Sequence, residues 1–150
     1  MIEESIEIVE WALATQDPQG LLNTDLVQAD RLIQQNDHEF KHWLDRYKYS
    51  DRYPEQSQLE YRHQGEQFLQ VLENLLAENA YLLGNSISKA DIAIMPFVRQ
   101  FAHVDRDTFY ALPYPKLQQW LKHWLEHPVF ELIMKKHQPW QEGNKSVIFG

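Results

Sequence analysis

The chain contains no cysteine. Disulfides, thiolate catalysis and Cys-ligated zinc are therefore excluded. Glycine is scarce, with five in 150 residues, and runs of β-branched residues are scarce with it. No glycine-rich phosphate loop exists, and no segment reads as a strand. Positive charge is outweighed: Lys and Arg total 14 against 22 Asp and Glu, a net charge of −8. That balance argues against a nucleic-acid grip, which needs a basic face to displace counterions from phosphates. It argues equally against a polybasic membrane anchor. Long apolar runs are missing too. The richest stretch, Ile92 to Val98, contains Pro96 and falls far short of the roughly 20 residues a spanning helix needs. The opening Met1-Ile2-Glu3-Glu4 is acidic and lacks the basic and apolar regions of a secretory signal, so a cytoplasmic location is expected.

What is present is bulk. Five Trp, seven Tyr and seven Phe bring the aromatic content to 13%, enough to fill a core or line an apolar pocket. The length suits one core, or one core with a short appendage.

Apolar residues recur at helical spacing along most of the chain. Ile2, Ile6, Val9 and Leu13 share one face of a helix over residues 2–14, and Asp17-Pro18-Gln19-Gly20 reads as a turn. Thr24 or Asp25 caps a second helix reaching about Tyr49. Its inward face carries Leu26, Ala29, Ile33, Phe40, Trp43, Leu44 and Tyr47, and its polar middle, Gln34 to Asp37, is a place to bend. A third helix starts near Glu55 and is closed by Gly84. Within its stripe, Gly65 suggests the close approach of a neighbouring backbone. A fourth runs from Ser88 to about His103, a fifth places Leu117, Trp120, Leu121, Trp124 and Leu125 on one face, and His127-Pro128 restarts a sixth ending near His137. The expected class is all-α, a helical bundle.

The most informative stretch is Leu83-Gly84-Asn85-Ser86-Ile87-Ser88-Lys89-Ala90-Asp91-Ile92. Ser88 is placed to accept from the N–H of Asp91, and the Asp91 carboxylate to accept from the N–H of Ser88, which makes a capping box. Ile87 and Ile92 flank it at the spacing of a hydrophobic staple. The helix that follows is apolar nearly all round, as the centre of a bundle would be. Pro96 removes the bond to the Ile92 carbonyl, so a kink is expected there.

This Gly-x-x-x-Ser-x-Ala-Asp-Ile run resembles the C-terminal domain of cytosolic glutathione S-transferases. So do Pro113-Tyr114-Pro115-Lys116-Leu117-x-x-Trp120 and the Phe40 to Tyr49 segment. The resemblance covers roughly residues 20–137, with 138–150 left as a tail. It extends to residues 1–15, which look like the last helix of the family's thioredoxin-like domain: Glu4-Ser5 resembles the pair that contacts the γ-glutamyl group of glutathione. A serine at a helix N-terminus suits a carboxylate, and a glutamate suits an ammonium.

The resemblance implies a division of labour. The thioredoxin-like half, expected ahead of Glu4 and not contained in this sequence, supplies the thiol-activating residue and most of the tripeptide site. No catalytic residue is therefore assigned here. The helical half supplies an apolar wall for the electrophile, with His42, Trp43, Arg46 and Tyr49 from the second helix and Arg99 and His103 from the fourth as the expected lining. From the residues alone, Trp43 suits a core and the arginines suit a solvated or ion-paired surface. Glutathione is implied as a co-substrate that this chain alone does not hold tightly, and the usual dimer as the assembly. The expected partners are a small electrophile and either a second copy or the missing half. The alternative is a non-enzymatic interaction or scaffold domain of the same ancestry. In either case an apolar face near Trp11, Leu13 and part of the fourth helix needs a cover.

One rival motif is literal. His38-Glu39-Phe40-Lys41-His42 is an H-E-x-x-H, whose two histidines would share a helix face beside a general base. No third ligand follows at the family spacing, since Trp43-Leu44-Asp45-Arg46 comes next, and no metal is expected. His123 and His127 flank a helix end, where positive charge is favoured.

Overall fold

The computed structural model describes residues 5–135, with side chains from residue 6. Among them it is helical throughout, with no strand. The eight α-helices are α1 (Ser5–Thr15), α2 (Leu26–Gln35), α3 (Lys41–Lys48), α4 (Gln58–Glu78), α5 (Lys89–Val104), α6 (Arg106–Ala111), α7 (Pro115–Leu125) and α8 (Pro128–Ile133). A π-helical turn, Asn36–Phe40, joins α2 to α3, and a 3₁₀ turn, Ser50–Arg52, follows α3.

α5 is the axis. Ile94, Val98, Phe101 and Ala102 on it are buried, and α2, α3, α6 and α7 all pack on it. The aromatic centre is tight: Phe40 lies 5.0 Å from Phe68 and 5.7 Å from Phe101, and Tyr47 lies 4.9 Å from Phe101. Such ring pairs add to plain burial. Gly65 on α4 sits against this cluster. A Cβ there would lie 2.7 Å from Cε2 of Phe101, so the close neighbour is a side-chain ring and not the expected backbone.

The expected second helix is continuous in direction but not in type. At its polar middle the N–H of Lys41 reaches back five residues to the Asn36 carbonyl, the signature of a π-turn. Asn36 is fully buried there; its Nδ2 donates to Asp37, and its Oδ1 has no partner among the described residues. Leu26, read as inward, is exposed, while Leu32 is buried.

Two expected boundaries shift. α4 begins at Gln58, behind a capping box of Ser57 and Glu60, and ends at Glu78. Gly84 does not close it. Instead Gly84, at φ +144°, pairs with Tyr81 across a tight turn, the N–H of Tyr81 donating to the Gly84 carbonyl at 2.9 Å. The stretch after α5 contains a further helix, α6, whose N-cap Asp105 accepts from Thr108 N–H at 3.0 Å.

α5 continues through Pro96. It is less enclosed than its composition suggests: Ile92, Ala93 and Phe97 are half-buried and Pro96 is exposed. That open side faces α1. On α1, Trp11 and Ile8 are 63% and 54% exposed, as the expected uncovered face requires, whereas Leu13 is half-buried. No described helix is long and apolar enough to cross a membrane.

Candidate functional site

The start of α5 organises everything around it. Ser88 Oγ accepts from Asp91 N–H at 3.4 Å, and the Asp91 carboxylate accepts from Ser88 N–H at 3.0 Å and from Ser88 Oγ–H at 2.6 Å. Both residues are fully buried. The other carboxylate oxygen of Asp91 accepts from Leu82 N–H at 3.0 Å and from the Trp120 indole N–H at 2.9 Å. Four donors thus converge on one buried carboxylate, which compensates its removal from water. The expected cap exists, and it reaches further than the sequence suggested, into the Tyr81–Gly84 turn and α7.

Beside the cap, Lys89 is buried with its ammonium 2.6 Å from Asp30 on α2 and 3.3 Å from Glu10 on α1. Burial alone would pull the lysine down, but its two carboxylate partners outweigh that and hold it above the usual lysine value. Lys89 therefore fastens α1 and α2 to the root of α5.

Between those three helices lies an apolar cavity of about 300 Å³. Ile6 and Val9 of α1 form one wall and Ile92, Ala93, Pro96 and Phe97 of α5 another, with Ile33 and Asp37 closing the side. Asp37 is engaged by Lys41 at 3.6 Å and by Asn36, and the Lys41 ammonium lies 4.8 Å from the centre of the Phe97 ring. The cavity is the size of a small-molecule pocket at the low end, and its lining is apolar apart from Asp37. Its α1 and α2 lining residues, Ile6, Val9 and Ile33, stand on apolar helix faces in the sequence, but none of them is expected there as a pocket residue.

The residues expected to line a pocket lie elsewhere. His42 is exposed on α3, its Nδ1 3.1 Å from Arg46 Nη1 and its ring 4.6 Å from that of Trp43. Partial burial and then the Arg46 charge lower its pKa, against a smaller opposing effect of Asp45. Trp43 is half-buried and stacks on Tyr61 of α4 at 6.4 Å. Arg46 lies over Tyr53 at 4.6 Å, and Tyr49 lies under Lys48 and Arg52. Of these four, Trp43 reaches α4 through Tyr61. Arg99 lies over Phe130 of α8 at 5.5 Å. His103 pairs with Arg106 at 3.1 Å, and burial, then Arg106 and Arg99, lower its pKa. None of the six lines the α1–α2–α5 cavity. Glu4 and the side chain of Ser5 lie outside the described residues. Of the H-E-x-x-H histidines, His42 meets Arg46 and Trp43 and His38 is exposed, and among the described residues no three His, Asp or Glu side chains gather to hold a metal.

Against known families, residues 27–128 match the glutathione S-transferase C-terminal domain. The chain belongs to that family. Solved glutathione transferases share the fold of this domain. One from Burkholderia graminis, crystallised with two glutathione molecules per subunit, superposes with a TM-score of 0.68 at 21% identity, over 87% of this chain and 58% of its own. A glutathione S-transferase from Pseudomonas fluorescens superposes with a TM-score of 0.62, also at 21% identity, over 85% of this chain and 65% of its own. This glutathione S-transferase helical domain therefore spans less than two thirds of either. No curated protein sequence gives a significant match.

Proposed function

We propose that this chain is the electrophile-binding half of a glutathione transferase. Residues 1–15 are then the last helix of a thioredoxin-like domain, residues 20–137 the helical domain and 138–150 a tail. The observation that carries the reading is the cavity behind α1: Ile6 and Val9 of that helix line an apolar pocket, and the resemblance gives the pair just before them in sequence, Glu4-Ser5, the γ-glutamyl group to address. An electrophile in that cavity and a tripeptide at the head of α1 would lie side by side. The two glutathiones of the Burkholderia graminis relative fit a fold that takes this tripeptide.

In the reaction, the glutathione thiolate attacks the electrophilic carbon. A carbon–sulfur bond forms, the leaving group departs with its electron pair, and the thiol proton goes to solvent. The contribution of this chain is positional. Ile6, Val9, Ile92 and Phe97 exclude water and hold the apolar part of the electrophile. Thiol activation belongs to the thioredoxin-like half, and a homodimer in the cytoplasm is the working form.

The test is conjugation of an activated aryl halide by the chain joined to a thioredoxin-like half. Ala93→Trp, which fills the cavity, should lower kcat/KM for the halide about tenfold or more while the KM for glutathione stays unchanged. Equal kcat/KM in the two proteins would overturn the assignment of the cavity. A second reading rests on the exposed Trp11 and Ile8: a non-enzymatic scaffold whose partner covers that face. It predicts no conjugation by the joined protein at all.

A further inference from the structure

We infer that a second cavity, at the far end of α4, binds a small aromatic carboxylate. It occupies about 320 Å³ between the last turn of α4, the Tyr81–Gly84 turn and the outer face of α7. It shares no lining residue with the α1–α2–α5 cavity, so the inference stands apart from the proposed transferase role.

The chemistry of the lining chooses the guest. Leu76 and Trp120, both buried, make an apolar floor. Tyr81 and His123 rise from it with their rings 6.1 Å apart at 73°, a corner of two rings that suits a flat aromatic body. Around the rim stand Lys116 and Gln119. The Lys116 ammonium is the one full charge in the lining, no acidic side chain lines the cavity, and no ion-pair partner holds that ammonium among the described residues. In a lining that carries a lysine and no carboxylate, the nearest charge to an aromatic guest favours an aryl anion over an aryl cation. The volume, near the lower limit for small-molecule pockets, fits one ring or two fused rings.

The cavity is also preformed. Trp120 cannot swing, because its indole N–H is held by Asp91 at 2.9 Å. The Tyr81 turn is fixed by its pairing with Gly84 and by the bond from Leu82 N–H to the same carboxylate. The main chain at Lys116 is held by Glu73, which accepts from Lys116 N–H at 3.2 Å and Leu117 N–H at 2.8 Å. Two buried carboxylates thus set three walls before a ligand arrives, which removes much of the ordering cost of binding.

The experiment titrates the full 150-residue chain with 2-naphthoate, followed by amide chemical shifts, with the neutral 2-naphthylmethanol and the cationic 2-naphthylmethylamine as companions. The expected result is saturable shifts centred on Asn79, Lys116 and His123, with affinity in the order anion, alcohol, amine. Lys116→Gln should weaken naphthoate about fivefold and leave the alcohol within about twofold. Gln119→Trp, at an exposed position, should abolish binding of both while the far-UV circular dichroism matches that of the parent. Absence of saturable shifts would overturn the inference. So would shifts confined to Ile6 and Ala93, amine binding as well as naphthoate, or naphthoate affinity unaltered in both variants.

Discussion

The indole N–H of Trp120 donates to the carboxylate of Asp91 across 2.9 Å, joining α7 to the first turn of α5 through a fully buried anion. The same carboxylate holds Ser88 and Leu82, so one residue ends a loop, begins a helix and positions another helix. Asp91→Ala strips the cap and orphans at least one buried donor. The cap is worth about 1–2 kcal/mol and an orphaned donor about 1–3 kcal/mol, so a loss of about 2–5 kcal/mol is expected. Urea unfolding should show a lower midpoint at unchanged slope. A midpoint equal to the parent's would mean that the four bonds contribute nothing net.

Gly65→Ala should destabilise, against the ordinary helix trend. Alanine gains about 0.5–1 kcal/mol over glycine in a helix. Here its Cβ would come within 2.7 Å of the Phe101 ring, and that ring is held by Phe40 and Tyr47. Overpacking of this kind costs about 1–3 kcal/mol. The double variant Gly65→Ala with Phe101→Leu should destabilise less than the sum of the two single changes. Strict additivity in thermal melts would show that the two sites do not meet.

The Lys89 triad makes an alkaline prediction. Its ammonium is held above the ordinary lysine value of 10.5, so the folded state keeps the proton longer than the unfolded chain does. The contribution is complete at neutral pH and is lost as pH rises past about 10.5. Glu10 and Asp30 are more than half exposed, which limits each pair to about 1 kcal/mol or less. Melting temperatures of the parent should fall more steeply than those of Lys89→Met above that pH. Parallel curves would remove the triad as a source of stability. Hydrogen exchange in α1 should quicken in Glu10→Gln, since Glu10 is that helix's tie to Lys89.

His103 works in the opposite direction. Burial, then Arg106 and Arg99, hold it below its usual 6.5. The unfolded chain therefore takes up a proton that the folded chain refuses, and stability falls as pH drops below about 6.5. In His103→Gln the stability profile between neutral pH and pH 5 should flatten relative to the parent. An unaltered slope would show that this histidine titrates alike in both states. His42 is shifted in the same direction, by burial and then by Arg46, so its own substitution serves as the comparison.

Much of the bundle was legible because the signals are local. Ser88 and Asp91 sit three apart, and the buried Leu117, Trp120 and Leu121 recur at helical spacing. Two local signals of the same kind were passed over: Ser57-x-x-Glu60 marks the true start of α4, and Asp105-x-x-Thr108 marks α6. What could not be read locally is tertiary. Glu73 caps α7 from α4, more than forty residues away. Leu82 and Trp120 find Asp91 only after the chain has folded. The π-turn at Asn36–Phe40 adds a residue to one turn, and nothing in the apolar spacing on either side announces it. The site was the least legible part. A cavity depends on which faces remain uncovered, and periodicity reports only which faces are apolar.

Pro96 takes one rung out of the hydrogen-bond ladder of the helix at the centre of the bundle. Having no amide hydrogen, it leaves the Ile92 carbonyl without its helical donor, and both residues stand in the wall of the α1–α2–α5 cavity. The missing bond falls where α5 is exposed, so the helix runs on through Pro96 and the flaw costs it one rung and leaves the axis of the bundle whole.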